Sequence, residues 1–209
     1  AYITGRRGFW SLDLQVTADT LIPRPETERL VELVLSRMYP ETPAEILDLG
    51  TGSGAVALAI AVERPASRIT AVDASTAALA VAAANAVRLQ LCNVVFEQGD
   101  WYSQLGTRGF DIIASNPPYI ESSDAHLAIG DLRFEPRSAL ASGPDGLDDI
   151  RILIAGAPRH LLPGGWLLLE HGWNQGEAVR GLFAQAGFGV IQTERDLENR
   201  DRVTIGRIR

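Results

Sequence analysis

The tetrapeptide Asn116-Pro117-Pro118-Tyr119 carries the residue types best suited to chemistry in this chain. Two successive prolines have no backbone N–H to donate and fix their own φ, so the turn is stiff and offers acceptors only. The Asn116 side-chain carbonyl and the Pro117 backbone carbonyl can then both accept from one planar NH2 group, turning its lone pair toward an electrophile. Tyr119 is able to stack on the plane of that group. The bland alternative is a rigid turn that ends a strand; a glycine turn and an acid upstream weigh against it.

The glycine turn lies in Ile46-Leu-Asp-Leu-Gly-Thr-Gly-Ser-Gly54. Residues 46–49 read as a buried strand, Gly50, Gly52 and Gly54 follow at alternate positions, and a helix-like run begins at Ala55. Glycine permits positive φ and close approach of a ligand to the backbone, while the next helix directs free N–H groups at it. Such a turn fits a nicotinamide, a flavin or S-adenosylmethionine. Asp73 ends the following strand, where a dinucleotide-type fold places an acceptor for ribose hydroxyls. Its alternative role is a helix N-cap, which Ser75 could equally fill.

The 209 residues suit one domain, and 46% hydrophobic content is enough for a sheet buried on both faces. The net charge is −7, and all 19 basic residues are arginine. A Walker-type phosphate lysine and a Schiff-base lysine are therefore excluded. The acidic balance also argues against a partner held through nucleic-acid phosphates. No apolar run reaches the roughly 18 residues that span a bilayer, and the start lacks a signal-peptide core, so a soluble, cytoplasmic, monomeric protein is expected. Cys92 is the only cysteine; it rules out an internal disulfide and, lying in an apolar stretch, is expected to be a buried structural thiol. His126, His160 and His171 lack metal-ligand spacing and read as structural or solvent-facing, so no metal is expected.

Residues 9–16 alternate apolar and polar side chains, as a strand does. Pro25 opens a helix with Glu26 and Glu28 in its first turn and Leu30, Val31, Val34 and Leu35 on one face. From Glu45 the pattern is βαβα, with strands at 46–49, 68–73, 93–98 and 110–115 and helices at 55–64 and 75–89. Residues 120–145, rich in Ser, Asp, Pro and Gly, form a long loop of the kind that is usually functional. A helix over 147–162, a strand over 165–170, a helix over 175–186 and two strands over 190–194 and 203–208 complete the chain. The predicted fold is α/β: a mostly parallel seven-stranded sheet that ends in an antiparallel hairpin, with helices on both faces.

Further motifs bring a family into view. Phe9-Trp-Ser-Leu, Leu21-Ile-Pro-Arg-Pro-Glu-Thr-Glu28, the glycine turn, Asn116-Pro-Pro-Tyr-Ile120, Arg133-Phe-Glu-Pro136 and Leu169-Glu-His-Gly172 together resemble the HemK/PrmC family. Its members are the glutamine methyltransferases of peptide chain release factors. The resemblance spans nearly the whole chain. It implies a Rossmann-like class I S-adenosylmethionine-dependent methyltransferase that methylates N5 of the glutamine in a Gly-Gly-Gln motif and releases S-adenosylhomocysteine. It also implies a helical N-terminal domain, with this sequence beginning near the hairpin and linker that follow it. Residues 1–22 would then be a β-hairpin and linker segment, and residues 23–209 the catalytic domain.

The resemblance assigns roles. Gly50, Thr51, Gly52, Ser53 and Gly54 would hold the methionine part of the cofactor, Asp73 its ribose, and Trp101 its adenine beside Asp100. Asn116 would touch cofactor and substrate, with Pro117, Pro118 and Tyr119 holding the glutamine and Asn116, Pro117 and Tyr119 acting on it. Phe9 would close the apolar side of the pocket. Glu28, Glu135 and Glu170 lie in matching motifs at positions where acids also serve as caps or solvated ends. Three other functions share parts of this pattern. A nucleic-acid amino-methyltransferase would have to flip out a base and neutralise phosphates. A glutamine methyltransferase of a ribosomal protein shares the motifs, and a cofactor-binding module without turnover would bind but not transfer.

Overall fold

The computed structural model describes residues 1–130 and 132–208. The chain opens with an antiparallel hairpin, β1 (Arg6–Phe9) and β2 (Leu12–Gln15). Residues 9–16 are therefore not one strand. The chain reverses at Trp10, in the left-handed region at φ +54°, and the Trp10 N–H is held by the Glu28 carboxylate at 2.8 Å. Alternation survives the turn, with Leu12 and Leu14 buried and Asp13 and Gln15 exposed. A 3₁₀ turn, Pro25–Thr27, leads into α1 (Glu28–Leu35), whose Leu30, Val31 and Val34 are fully buried.

Seven strands form the main sheet: β3 (Glu45–Leu49), β4 (Arg68–Asp73), β5 (Val94–Gln98), β6 (Phe110–Ser115), β7 (Leu161–Glu170), β8 (Gly189–Arg195) and β9 (Asp201–Arg207). Their order is β5-β4-β3-β6-β7-β9-β8, parallel except that β9 runs antiparallel to both neighbours. The helices between them are α2 (Ala55–Glu63), α3 (Thr76–Arg88), α4 (Asp148–Gly156) and α5 (Gly176–Gln185).

Strand residues feed two cores by simple alternation. Ile46, Ile112 and Leu168 face a core shared with the hairpin, α1 and α2. Leu47, Ile113, Leu167 and Leu169 face a second core built with α4 and α5. Each such side chain, wholly removed from water, contributes about 1.5–3 kcal/mol. Helix α2 is buried from Ala55 through Ala61, which explains a sequence apolar on every side.

This topology creates the site. From β3 the chain steps outward through β4 to β5, then returns to lay β6 on the other side of β3. The crevice at such a switch point is where open α/β sheets bind ligands. Register makes it level: Leu49 pairs with Val72 on one side and with Ser115 on the other. The Ser115 hydroxyl also donates to the Leu49 carbonyl at 2.6 Å. The residues that follow are Gly50, Asp73 and Asn116.

Three further expectations are corrected. The helix expected over 147–162 ends at Gly156 and gives way to a 3₁₀ turn, Ala157–Arg159, because Pro158 has no N–H to continue the ladder. Strand β7 accordingly starts at Leu161, ahead of the expected 165. Cys92 is exposed, since it falls in the connection between α3 and β5 rather than in either apolar face.

Candidate active site

The glycine turn is fixed from below and from the side. Gly50 and Thr51 N–H both donate to the Val72 carbonyl, at 2.9 and 3.0 Å. Asp48, buried beneath the turn, accepts from the Thr51 hydroxyl at 2.7 Å and the Ala57 N–H at 3.2 Å. Burial pushes its carboxyl up to about 6, against those two hydrogen bonds. The Asp73 carboxylate accepts from Gly52 N–H at 2.8 Å and from Ser75 N–H at 2.9 Å, so it ties the turn to the start of α3. Ser75 itself caps α3, accepting from Ala78 N–H. Asn85, buried in α3, donates to the Ser53 carbonyl and exchanges hydrogen bonds with the Gln15 backbone, joining the turn to the hairpin.

The cavity over this turn has a volume of about 540 Å³. Gly50, Gly52, Asp73, Asp100, Trp101 and Asn116 line it together with Pro118. Trp101 sits at φ +49°, and its indole N–H donates to Asp149 at 3.2 Å, which sets the ring beside Gly50. A Cβ on Gly50 would come within 3.3 Å of that ring, so only glycine leaves the approach free. Four carboxylates, Asp19, Asp73, Asp100 and Asp149, line the wall, and none of the described residues that line it is basic. Such a lining favours a ligand with hydroxyl groups and positive charge over one with a pyrophosphate. The residues present therefore fit S-adenosylmethionine, with its sulfonium, ammonium and ribose, better than a dinucleotide.

At the mouth of the crevice, Asn116 directs its amide NH2 to the Thr27 hydroxyl at 3.1 Å, and its carbonyl oxygen accepts from no donor among the described residues. Tyr119 donates its hydroxyl to Glu170 at 3.3 Å, and burial pushes the phenol well up, so it stays a donor. The Tyr119 backbone carbonyl is held by Gln175 at 3.0 Å. Glu170 is buried, and its carboxyl is pushed up to about 7 by that burial, opposed by Thr27, Arg202 and Tyr119.

The long loop closes one side. It holds three 3₁₀ turns, Ala125–Ala128, Leu132–Phe134 and Arg137–Ala139. Its buried Glu135 accepts from Ile22 N–H at 3.1 Å and pairs with Arg24, which brings Pro136, Ser138 and Ala139 against residues 18–21 at the rim.

Not every expected residue reaches the cavity. Thr51 and Ser53 border a smaller adjoining void with Thr27, Asp48 and Asn116. Gly54 caps α2 beneath the turn. The Pro117 ring is buried and the Tyr119 hydroxyl is turned to Glu170, so neither side chain lines the cavity. Phe9 is 2% exposed inside the core under the hairpin and lines neither void. His160 stacks on Tyr102, His171 is buried against Thr204, and His126 is exposed. Sequence reasoning missed Asp48, Thr27 and Asp149. A carboxylate in the middle of an apolar strand was the one available signal, for Asp48.

The family described as Methyltransferase small domain matches residues 27–143. Over 207 residues the chain is 60% identical to the release factor glutamine methyltransferase of Xylella fastidiosa (strain Temecula1), covering 99% of this chain and 75% of that one. It is 56% identical over 206 residues to the protein of the same name from Pseudomonas aeruginosa, covering 99% and 74%. Among solved structures, a methyltransferase from Pyrococcus furiosus matches 95% of this chain and 89% of its own, with a TM-score of 0.71 at 18% identity, a likeness of fold.

Proposed function

The chain belongs to the release factor glutamine methyltransferases, and from that premise we propose both its reaction and the roles of the residues around the cavity. The enzyme methylates N5 of the glutamine side chain in the Gly-Gly-Gln motif of a peptide chain release factor. S-adenosylmethionine supplies an electrophilic methyl group when bound. Gly50, Gly52, Asp73, Asp100 and Trp101 hold it: the glycines by close approach, the two acids through hydroxyl and amino groups, and Trp101 by its ring. Thr51, Ser53 and Gly54 shape the turn from behind. Phe9 supports the hairpin rather than the pocket. The hairpin, residues 1–22, is a segment bound to a catalytic domain of residues 23–209 through the shared core.

One observation carries the reading: Asn116 commits its NH2 to Thr27 and keeps its carbonyl oxygen for the cavity. A glutamine amide is a poor nucleophile because its lone pair is delocalised into the carbonyl. The Asn116 oxygen and the Pro117 carbonyl accept its two N–H groups and hold the nitrogen in line for attack, so positioning supplies most of the rate. As the nitrogen gains its new bond it becomes more positive and its hydrogens more acidic. Both acceptors then bind it more tightly than in the ground state, a gain realised in the transition state. Pro118, on the cavity wall, keeps water from the reacting face.

Transfer of labelled methyl to a purified release factor, and to one whose Gly-Gly-Gln glutamine is alanine, tests this reading. Label on the first alone is expected. Absence of label on both, with the cofactor bound, overturns it.

A further inference from the structure

The main chain of the tetrapeptide is sparsely held. Pro117 and Pro118 have no N–H, and among the described residues no donor reaches the backbone carbonyls of Asn116, Pro117 or Pro118. The Tyr119 carbonyl is the exception, accepting from the Gln175 side chain at 3.0 Å. Across the same peptide plane, the Ile120 N–H donates to the Leu140 carbonyl at 2.9 Å. Upstream, the anchor is β6 itself, where Ser115 pairs with Leu49.

Gln175 stands at the N-cap of α5, yet its side chain does not cap that helix. Its amide is turned to the tetrapeptide instead. Nε2 faces three carbonyls, those of Tyr119 at 3.0 Å, Asp145 at 3.4 Å and Gly146 at 3.5 Å, while Oε1 accepts from the Gly172 N–H at 2.8 Å. Acceptors around the nitrogen and a donor at the oxygen leave one orientation for this amide. The Gln175 N–H also returns to the Gly172 carbonyl at 2.9 Å, so the turn between β7 and α5 is closed by main chain and side chain together. Gly146 completes the fit from the start of the α4 segment. It has φ +74°, and a Cβ there would overlap the Tyr119 carbonyl oxygen and stand 2.8 Å from Gln175 Nε2.

We propose, resting on the reading of the site given above, that Gln175 is a positioning residue that aims the Pro117 carbonyl at the substrate NH2 by clamping the Tyr119 carbonyl. The Pro117 carbonyl and the Pro118 ring nitrogen belong to one planar amide, and the ring fixes the next φ. The carbonyl therefore cannot swing without carrying Pro118 and Tyr119 with it. Sheet pairing holds the segment at Ser115 and Gln175 holds it at Tyr119, so the acceptor between them keeps its direction although nothing touches it. That carbonyl has to stay without a donor of its own to serve the substrate. Its aim is set from a neighbouring peptide for this reason.

The test uses the full chain with Gln175→Glu, Gln175→Leu, Gly146→Ala and the double variant of Gln175→Glu with Gly146→Ala. Glu matches Gln in length and keeps an oxygen for the Gly172 N–H, but it sets a carboxylate against three carbonyls. Leu loses both contacts without that repulsion. Gln175→Glu and Gly146→Ala are each expected to lower kcat about 100-fold, the scale of a reacting group displaced by about 1 Å, with cofactor affinity unchanged. The double variant loses little more than either single one, because both act on one carbonyl. Gln175→Leu loses less than Gln175→Glu. A residue that merely closes the turn at Gly172 gives the opposite order, with Glu harmless and Leu harmful. In the protein alone, the carbonyl carbon resonances of Tyr119 and Pro117, read by nuclear magnetic resonance, move together in Gln175→Glu and in Gly146→Ala. Wild-type kcat in Gln175→Glu, or a Pro117 resonance that stays in place while that of Tyr119 moves, would overturn the proposal. Coupled resonances in an enzyme that labels no release factor would instead sink the substrate reading and leave the clamp standing.

Discussion

The Gly52 backbone N–H donates to the Asp73 carboxylate at 2.8 Å, so the acid at the end of β4 fastens the glycine turn at the end of β3. A second oxygen of Asp73 is held by Ser75 N–H at 2.9 Å. Asp73 thus faces the cavity with a fixed orientation and with lone pairs to spare. Asp73→Ala removes a charge-assisted hydrogen bond of about 1.5–3 kcal/mol together with an acceptor on the cavity wall. Cofactor affinity should fall roughly 10–100-fold on that scale, measured by calorimetry, while kcat at saturating cofactor changes much less. An unchanged affinity would mean that the turn holds its shape without Asp73.

Gly52 and Gly54 both have positive φ, +56° and +86°, yet alanine at the two should fail differently. A Cβ on Gly54 would sit 2.9 Å from the Leu58 side chain and 3.2 Å from Ala82, inside the core. A Cβ on Gly52 meets nothing within 4 Å. Gly54→Ala is therefore expected to cost about 2–3 kcal/mol of stability, from backbone strain and overpacking together. Gly52→Ala should cost about 1–2 kcal/mol and show itself mainly as weaker cofactor binding. Denaturant unfolding of both variants checks the first claim, and a binding isotherm the second.

Asp48 gives the protein a pH dependence of stability with a definite sign. Its carboxyl stands at about 6 in the folded chain, above the ordinary 3.8, because burial disfavours the charge. The native state therefore binds a proton more readily than the unfolded state. The stability that Asp48 contributes is fully present below about pH 4 and is lost as pH rises through 6. The span is on the order of 3 kcal/mol. Asp48→Asn should flatten this part of the profile between pH 4 and 6, as read by urea unfolding at several pH values. A wild-type profile that rises over that range with Asp48→Asn unchanged would refute it.

Much of this architecture is legible in the sequence because it depends on local regularities. The all-apolar run from Ala55 to Ala61 and the alternating strands of the sheet announce themselves through period and length. The glycine turn and the Asn116 tetrapeptide are legible because their chemistry is carried by adjacent residues. The helix end at Gly156 was hidden by apolar residues that continue past Pro158 into β7. The exposed Cys92 shows that an apolar neighbourhood in sequence does not fix burial when the residue falls in a connection. Least legible was the hydrogen bond from Asn116 to Thr27. It joins two remote segments, and nothing in a local pattern distinguishes Thr27 from an ordinary helix-start residue.

The loop over 120–145 illustrates how distant residues build a wall, and it carries the last prediction. Arg24 pairs with Glu135, whose side chain has no exposure, and the same carboxylate takes the Ile22 N–H. The pair holds two irregular segments, residues 22–24 and the loop, against each other, while inside the loop a bridge joins Ile120 to Ala141. Removing Arg24 would leave a buried carboxylate without its partner, a situation that costs roughly 3–5 kcal/mol, reduced here because Arg24 itself is 30% exposed. The loop has the cheaper course of opening to bring Glu135 to water. Arg24→Ala should therefore raise hydrogen exchange over residues 132–142 and 18–24 while leaving the sheet protected, and raise KM for the protein substrate more than it lowers kcat. Exchange that increases evenly across the sheet would show instead that the pair stabilises the whole fold rather than this wall of the cavity.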